Sequence, residues 1–131
     1  IMRLYMALSV LLVDDSKFVR KGIAKALPTI LEGQEFIFSE ASNGNEALKL
    51  LYSISYDLVF LDLTMPEKTG YEVLQNLKER GIKANIIVLT ADIQPEAEKI
   101  VRSLGAVGYM AKHSSFNKDA LIKILQEINL L

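Results

Sequence analysis

Hydrophobic positions along the chain form two alternating kinds of segment. Short unbroken runs, Val10 to Val13, Leu58 to Leu61 and Ile86 to Leu89, lack in–out alternation and predict strands buried on both faces. Between them, apolar residues recur at helical spacing. Phe18, Val19, Ile23, Ala26 and Leu27 predict a helix with Ser16 as N-cap and Pro28 as its end. Phe36 to Ala41 is a more weakly patterned strand, which suits a sheet edge, and Asn43-Gly44 reads as a turn before a short helix carrying Ala47, Leu48 and Leu51. Val73, Leu74 and Leu77 mark a third helix ended by Gly81. Pro95 suits a first helical turn, Ala97, Ile100, Val101 and Leu104 continue that helix, and Gly105 stops it. Val107 to Ala111 is a fifth short strand, and Leu121, Ile122, Leu125 and Ile128 lie along a closing amphipathic helix.

Strand and helix thus alternate five times, which implies a parallel sheet with helices on both faces. Periodicity alone leaves the strand order open; 2-1-3-4-5 is one common solution. Two apolar runs end on acids, Val10 to Val13 at Asp14 and Asp15 and Leu58 to Leu61 at Asp62, with Pro66 four residues further on. Open α/β sheets bind ligands at the carboxyl ends of their strands, so Asp62 is expected in a crevice and not in the core. In the 2-1-3-4-5 order strands one and three are neighbours, and the three acids meet at one rim.

Composition narrows the chemistry. A chain of 131 residues is expected to form one domain with a substantial core. Its net charge of −1 and the lack of a long basic run argue against nucleic-acid binding by this chain alone. There is no cysteine, which excludes disulfides and thiolate chemistry and fits a reducing, cytoplasmic setting. The apolar start, Ile1 to Val13, is too short to span a bilayer and runs into Asp14 and Asp15 where a signal peptide would need small residues, so it reads as a first strand with a short leader.

The strand ends together present Asp14, Asp15, Asp62, Thr90 and Lys112. One acid at a strand end needs no special cause, but three crowded carboxylates repel unless a cation sits among them. Oxygen-only donors of this kind suit Mg²⁺ or Mn²⁺, and a lysine with a hydroxyl opposite suits a phosphoryl group. No Walker-type glycine loop, no Gly-x-Ser-x-Gly elbow and no multi-histidine metal set is present. Thr64 stands two positions after Asp62 where a haloacid-dehalogenase-type phosphatase would carry a second aspartate.

Val13-Asp14-Asp15-Ser16, Leu61-Asp62-Leu63-Thr64-Met65-Pro66 with Gly70, Leu89-Thr90-Ala91 and Gly108-Tyr109-Met110-Ala111-Lys112 together resemble the receiver domain of two-component response regulators, the CheY-like family. The likeness runs from about Ser9 to Ile128 and treats residues 1–131 as a single receiver domain. It implies a flavodoxin-like (βα)5 fold with sheet order 2-1-3-4-5. It implies a protein that is not an enzyme in the usual sense, in which Asp62 is the phosphoacceptor for a partner histidine kinase or phosphotransfer protein. Asp15, Asp62 and the Thr64 backbone carbonyl resemble direct Mg²⁺ ligands, with Asp14 acting through water. Lys112 and Thr90 resemble the groups that meet the phosphoryl group, and Tyr109 the aromatic residue that turns inward when Thr90 moves. The downstream partner or output domain is not implied.

The side chains of Thr64 and Asp92, at the mouth, are expected to tune access of water. His113 departs from the family, which usually places proline there after a cis bond; a cis bond before a non-proline residue costs on the order of 3 kcal/mol. Lys112–His113 is therefore expected to be trans with a shifted loop, or cis and strained, and His113 reads as a solvated loop residue. The alternative reading is a receiver-fold scaffold that signals without phosphorylation. A small-molecule phosphatase is disfavoured by the short loops.

Overall fold

The computed structural model describes residues 6–91, 93–112 and 117–131. Among these, five strands and five helices alternate: β1 (Leu8–Val13), α1 (Lys17–Ile30), β2 (Phe36–Ala41), α2 (Gly44–Ser53), β3 (Leu58–Asp62), α3 (Gly70–Glu79), β4 (Ile86–Thr90), α4 (Pro95–Ser103), β5 (Gly108–Ala111) and α5 (Lys118–Glu127). All neighbouring strands pair in parallel, in the order β2-β1-β3-β4-β5. β2 lies at an edge, as its weak patterning suggested, with Ile37 exposed.

The unbroken apolar runs are explained by two separate cores. Leu11, Val13, Val59, Leu61, Ile86 and Val88 face one way and pack with Leu48 of α2, Val73 and Leu77 of α3 and Val101 of α4. Their neighbours in sequence, Val10, Leu12, Leu58, Phe60, Ile87 and Leu89, face the other way onto Ile23 and Leu27 of α1 and Leu121 and Leu125 of α5. A strand points successive side chains to opposite faces, so every position must be apolar when helices cover both. β3 and β4 are accordingly buried at every position.

Helix ends follow local chemistry. Ser16 and Asn117 cap α1 and α5 with side-chain oxygens. Thr69 and Glu72 form a reciprocal capping box on α3. Pro95 stands in the first turn of α4, whose N-cap Gln94 makes no side-chain cap bond. Gly81 and Gly105 have φ of 67° and 105° just past the C-caps of α3 and α4.

Two expectations are corrected. Pro28 does not end α1, which continues to Ile30 and closes with Leu31 N–H donating to the Leu27 carbonyl at 2.9 Å. A proline near the end of a helix removes one ladder bond only, and the buried Ile23 and Leu27 hold the segment in place. Asn43-Gly44 is a helix start rather than a free turn: Asn43 Oδ1 accepts from Glu46 N–H at 2.9 Å. Glycine is needed there because a Cβ on Gly44 would lie 2.7 Å from the Lys68 carbonyl oxygen.

Glycines separate into open and closed positions. A Cβ on Gly70 would stand 2.5 Å from the Asp62 carbonyl oxygen, whereas one on Gly22, within α1, would meet nothing within 4 Å. Gly70→Ala is expected to destabilise by about 2 kcal/mol through overpacking, and Gly22→Ala to stabilise by about 0.5–1 kcal/mol through helix propensity. Urea denaturation of the two variants beside the parent checks both signs.

Candidate functional site

The carboxyl ends of β1, β3, β4 and β5 converge on one rim. β1 delivers Asp14, whose Oδ1 accepts from Ser16 N–H at 2.9 Å, and this bond folds the chain straight into α1. β3 delivers Asp62, whose Oδ1 accepts from Thr64 N–H at 3.2 Å. β5 leads into Lys112, whose backbone N–H donates to the Thr90 carbonyl at 2.7 Å and so ties it to the end of β4. The Lys112 ammonium reaches back across the rim, with Nζ 2.9 Å from Asp14 Oδ2 and 3.3 Å from Asp62 Oδ1.

Asp14 and Asp62 are buried, with 1% and 2% of their surface exposed, while Asp15 is exposed. Asp62 thus stands at the rim, as expected, but is more enclosed than a crevice residue. Carboxylate oxygens of Asp14, Asp15 and Asp62 all lie within 4.8 Å of one another. Asp62 Oδ2 is buried and makes no hydrogen bond among the described residues. An orphaned buried carboxylate oxygen costs free energy unless something meets it. Three carboxylates around one point, with no nitrogen or sulfur donor, fit a hard divalent cation such as Mg²⁺ or Mn²⁺.

Burial, followed by repulsion from Asp14, pushes the Asp62 carboxyl from its usual 3.8 up to about 6, against the opposing pull of Lys112 and the Thr64 N–H. Burial would lower the Lys112 ammonium, but the Asp14 and Asp62 carboxylates outweigh it and hold that group above its ordinary value.

Of the residues singled out from sequence, Asp14, Asp15, Asp62 and Lys112 come together directly. Thr90 is buried at the end of β4 and joins them through the Lys112 backbone. Thr64 contributes its N–H to Asp62, and its side chain is exposed. Tyr109 stands apart: its ring is buried, on the sheet face that carries Val88 and packs with Val101 of α4, and its hydroxyl accepts from Gln94 N–H at the start of α4 at 3.2 Å. Gly108 lets Ile124 of α5 approach closely, where a Cβ would lie 2.7 Å from Ile124 Cδ1. Asp92, His113 and the Lys112–His113 bond lie outside the described residues.

Arg20 was missed by the sequence reading. Its guanidinium donates to the Asp14 carbonyl at 2.6 Å and to Glu40 Oε1 at 2.8 Å, bracing the first acid from α1. The available signal was spacing, since a residue one turn into the helix after a strand end can reach back to that end.

The chain matches the response regulator receiver domain over residues 10–126. It is 37% identical to the chemotaxis protein CheY of Halobacterium salinarum over 123 residues, covering 94% of this chain and 98% of that protein. It is 30% identical to the nitrate/nitrite response regulator NarL of Escherichia coli, covering 91% of this chain and 53% of NarL. The chain therefore spans nearly all of one relative and about half of the other. The solved chemotaxis protein CheY4 of Vibrio cholerae superposes with a TM-score of 0.75 at 30% identity, covering 94% of this chain and 99% of that one.

Because the folded state binds the Asp62 proton more tightly than the unfolded chain does, stability of the metal-free protein is lost as pH rises from about 4 through about 6. Asp62→Asn, measured by urea denaturation in chelator, is expected to gain on the order of 2 kcal/mol over the parent at pH 7, and the gain should vanish near pH 4. A gain that does not change across that range would refute the assignment.

Proposed function

The chain belongs to the response regulator receiver domain family, and from that premise we propose that Asp62 accepts a phosphoryl group from a phosphohistidine on a partner kinase or phosphotransfer protein. The observation that carries this reading is the buried Asp62 carboxylate, with one oxygen unmet and the other beside Lys112, inside a cluster of three acids. Members of the family are signalling proteins, and the reaction proposed is a phosphorylation that sets a state.

Asp15, Asp62 and the Thr64 backbone carbonyl would hold a divalent cation, with Asp14 acting through water. A Mg²⁺ ion, when bound, supplies charge that keeps the acids ionised and offsets the charge of the incoming phosphoryl group. The chain's own residues do the rest. An Asp62 carboxylate oxygen attacks phosphorus in line; the bond from phosphorus to the histidine nitrogen breaks, and that nitrogen keeps the electron pair. Phosphoryl transfer has a loose transition state, so positioning and charge neutralisation carry most of the acceleration. Ser16 and Thr64 N–H groups fix the two buried carboxylates, and Lys112 offers an ammonium beside the acceptor.

Once Asp62 carries the phosphoryl group, its new charge draws Lys112 and the Thr90 hydroxyl. Thr90 follows Ile86 and Val88 by two-residue steps along β4, so it points to the face on which Tyr109 and α4 pack. The Tyr109 hydroxyl already holds the first turn of α4 through Gln94 N–H. Movement at Thr90 is thereby passed to α4, which carries the exposed Ile100. Thr64 and Asp92 are proposed to tune access of water to the phosphoryl group. This reading implies a cytoplasmic setting; among the described residues no helix is long and apolar enough to cross a membrane.

Incubation with acetyl phosphate and Mg²⁺, followed by intact mass, is expected to show a gain of one phosphoryl group. The gain should disappear with Asp62→Asn and with chelator. Lys112→Ala is expected to slow formation by on the order of 100-fold, the scale for removing one charge-stabilising group. No mass gain under any of these conditions would leave the scaffold that signals without phosphorylation.

A further inference from the structure

The amino-terminal edge of the sheet, opposite the acidic rim, carries a second concavity. A cleft of about 550 Å³ opens between the C-terminal ends of α3 and α4, over the start of β4 and the residue before β5. Its apolar lining includes Leu77, Ile82, Ala84 and Leu104. The size falls within the range of small-molecule sites, and an apolar cavity with a few polar groups is their usual form.

The charged residues that line it have one sign. Lys78, Lys83 and Arg102 line the cleft, and no aspartate or glutamate does so among the described residues, in a chain whose net charge is −1. Lys78 Nζ donates to the Ser103 carbonyl at 3.1 Å, and Arg102 pairs with Glu98 at 2.9 Å, so both cations are held in place. Lys83 is exposed and has no hydrogen bond or ion pair among the described residues. The helix ends that frame the cleft are capped, with Ile82 N–H donating to the Leu77 carbonyl and Ala106 N–H to the Val101 carbonyl, each at 2.9 Å. Tyr56 also lines the cleft, and its buried hydroxyl has no hydrogen-bond partner among the described residues. An unmet buried hydroxyl is a donor that a ligand group reaching it would satisfy.

We propose that this cleft binds a small amphipathic anion: an apolar body against Leu77, Ile82 and Leu104, with its anionic group set toward Lys83 between Lys78 and Arg102. Such a ligand touches the ends of α3 and α4 at once. α4 is held at its start by the Tyr109 hydroxyl, so an occupant at its other end restrains the same helix from the opposite side. The proposal does not rest on phosphoryl acceptance at Asp62, and it is tested equally well on Asp62→Asn.

The probe is 8-anilinonaphthalene-1-sulfonate, an apolar two-ring body with one sulfonate, added to the intact chain at pH 7 with its cooperative melting transition monitored. Saturable fluorescence is expected, with amide shift changes centred on Ile82, Ala84, Leu104 and Gly105. Lys78→Gln with Lys83→Gln and Arg102→Gln is expected to weaken binding about tenfold, the sum of three exposed charge interactions. The uncharged N-phenyl-1-naphthylamine, which needs no substitution, should bind the parent about tenfold more weakly for the same reason. Shift changes that map elsewhere, binding that does not saturate, or equal affinity of the charged and uncharged probes would each overturn the proposal.

Discussion

Two carboxylates with almost no exposure, Asp14 and Asp62, share one ammonium group, that of Lys112. Burying a pair of like charges is unfavourable, and a single cation between them only partly relieves it. The rise of the Asp62 carboxyl to about 6 expresses what remains. The rim is thus held in a state of incomplete charge compensation. It has room in its electrostatics for more positive charge.

The rest of the fold keeps that arrangement from relaxing. Helices on both faces of the sheet leave β3 no freedom to tilt Asp62 out toward water. Gly70 packs its bare Cα against the Asp62 backbone, and Gly70 N–H donates to the Leu63 carbonyl at 3.0 Å, which closes the loop after β3. Arg20 braces the Asp14 carbonyl from α1. Each of these contacts fixes main chain near an acid, which is how an apolar scaffold can hold charged groups close together.

The two edges of the sheet differ in kind. At the carboxyl edge three acids and one lysine meet, with carboxylate oxygens within 4.8 Å of one another. At the amino edge the lining is apolar, larger, and ringed by cations. α4 spans the distance between them, with Gln94 bonded to Tyr109 at one end and Arg102 beside the cleft at the other.

Much of this was legible in the letters. Short unbroken apolar runs alternating with helical segments point to strands covered on both sides, so Val10 to Val13, Leu58 to Leu61 and Ile86 to Leu89 indicated a doubly covered parallel sheet, and the acids that end the first two indicated which edge would carry chemistry. Local signals misled in two places. Pro28 remained helical because α1 is packed on the sheet, and Asn43-Gly44 became a helix start because Asn43 caps α2, with Gly44 fitting beside Lys68 where a side chain would not. Tertiary structure alone decided that Asp62 is buried rather than merely near the surface, that Lys112 reaches Asp14 more closely than Asp62, that Arg20 belongs to the rim, and that three cations encircle the far cleft. Periodicity within a segment fixes which face a side chain takes, whereas distances between segments arise only when the separate elements are packed together.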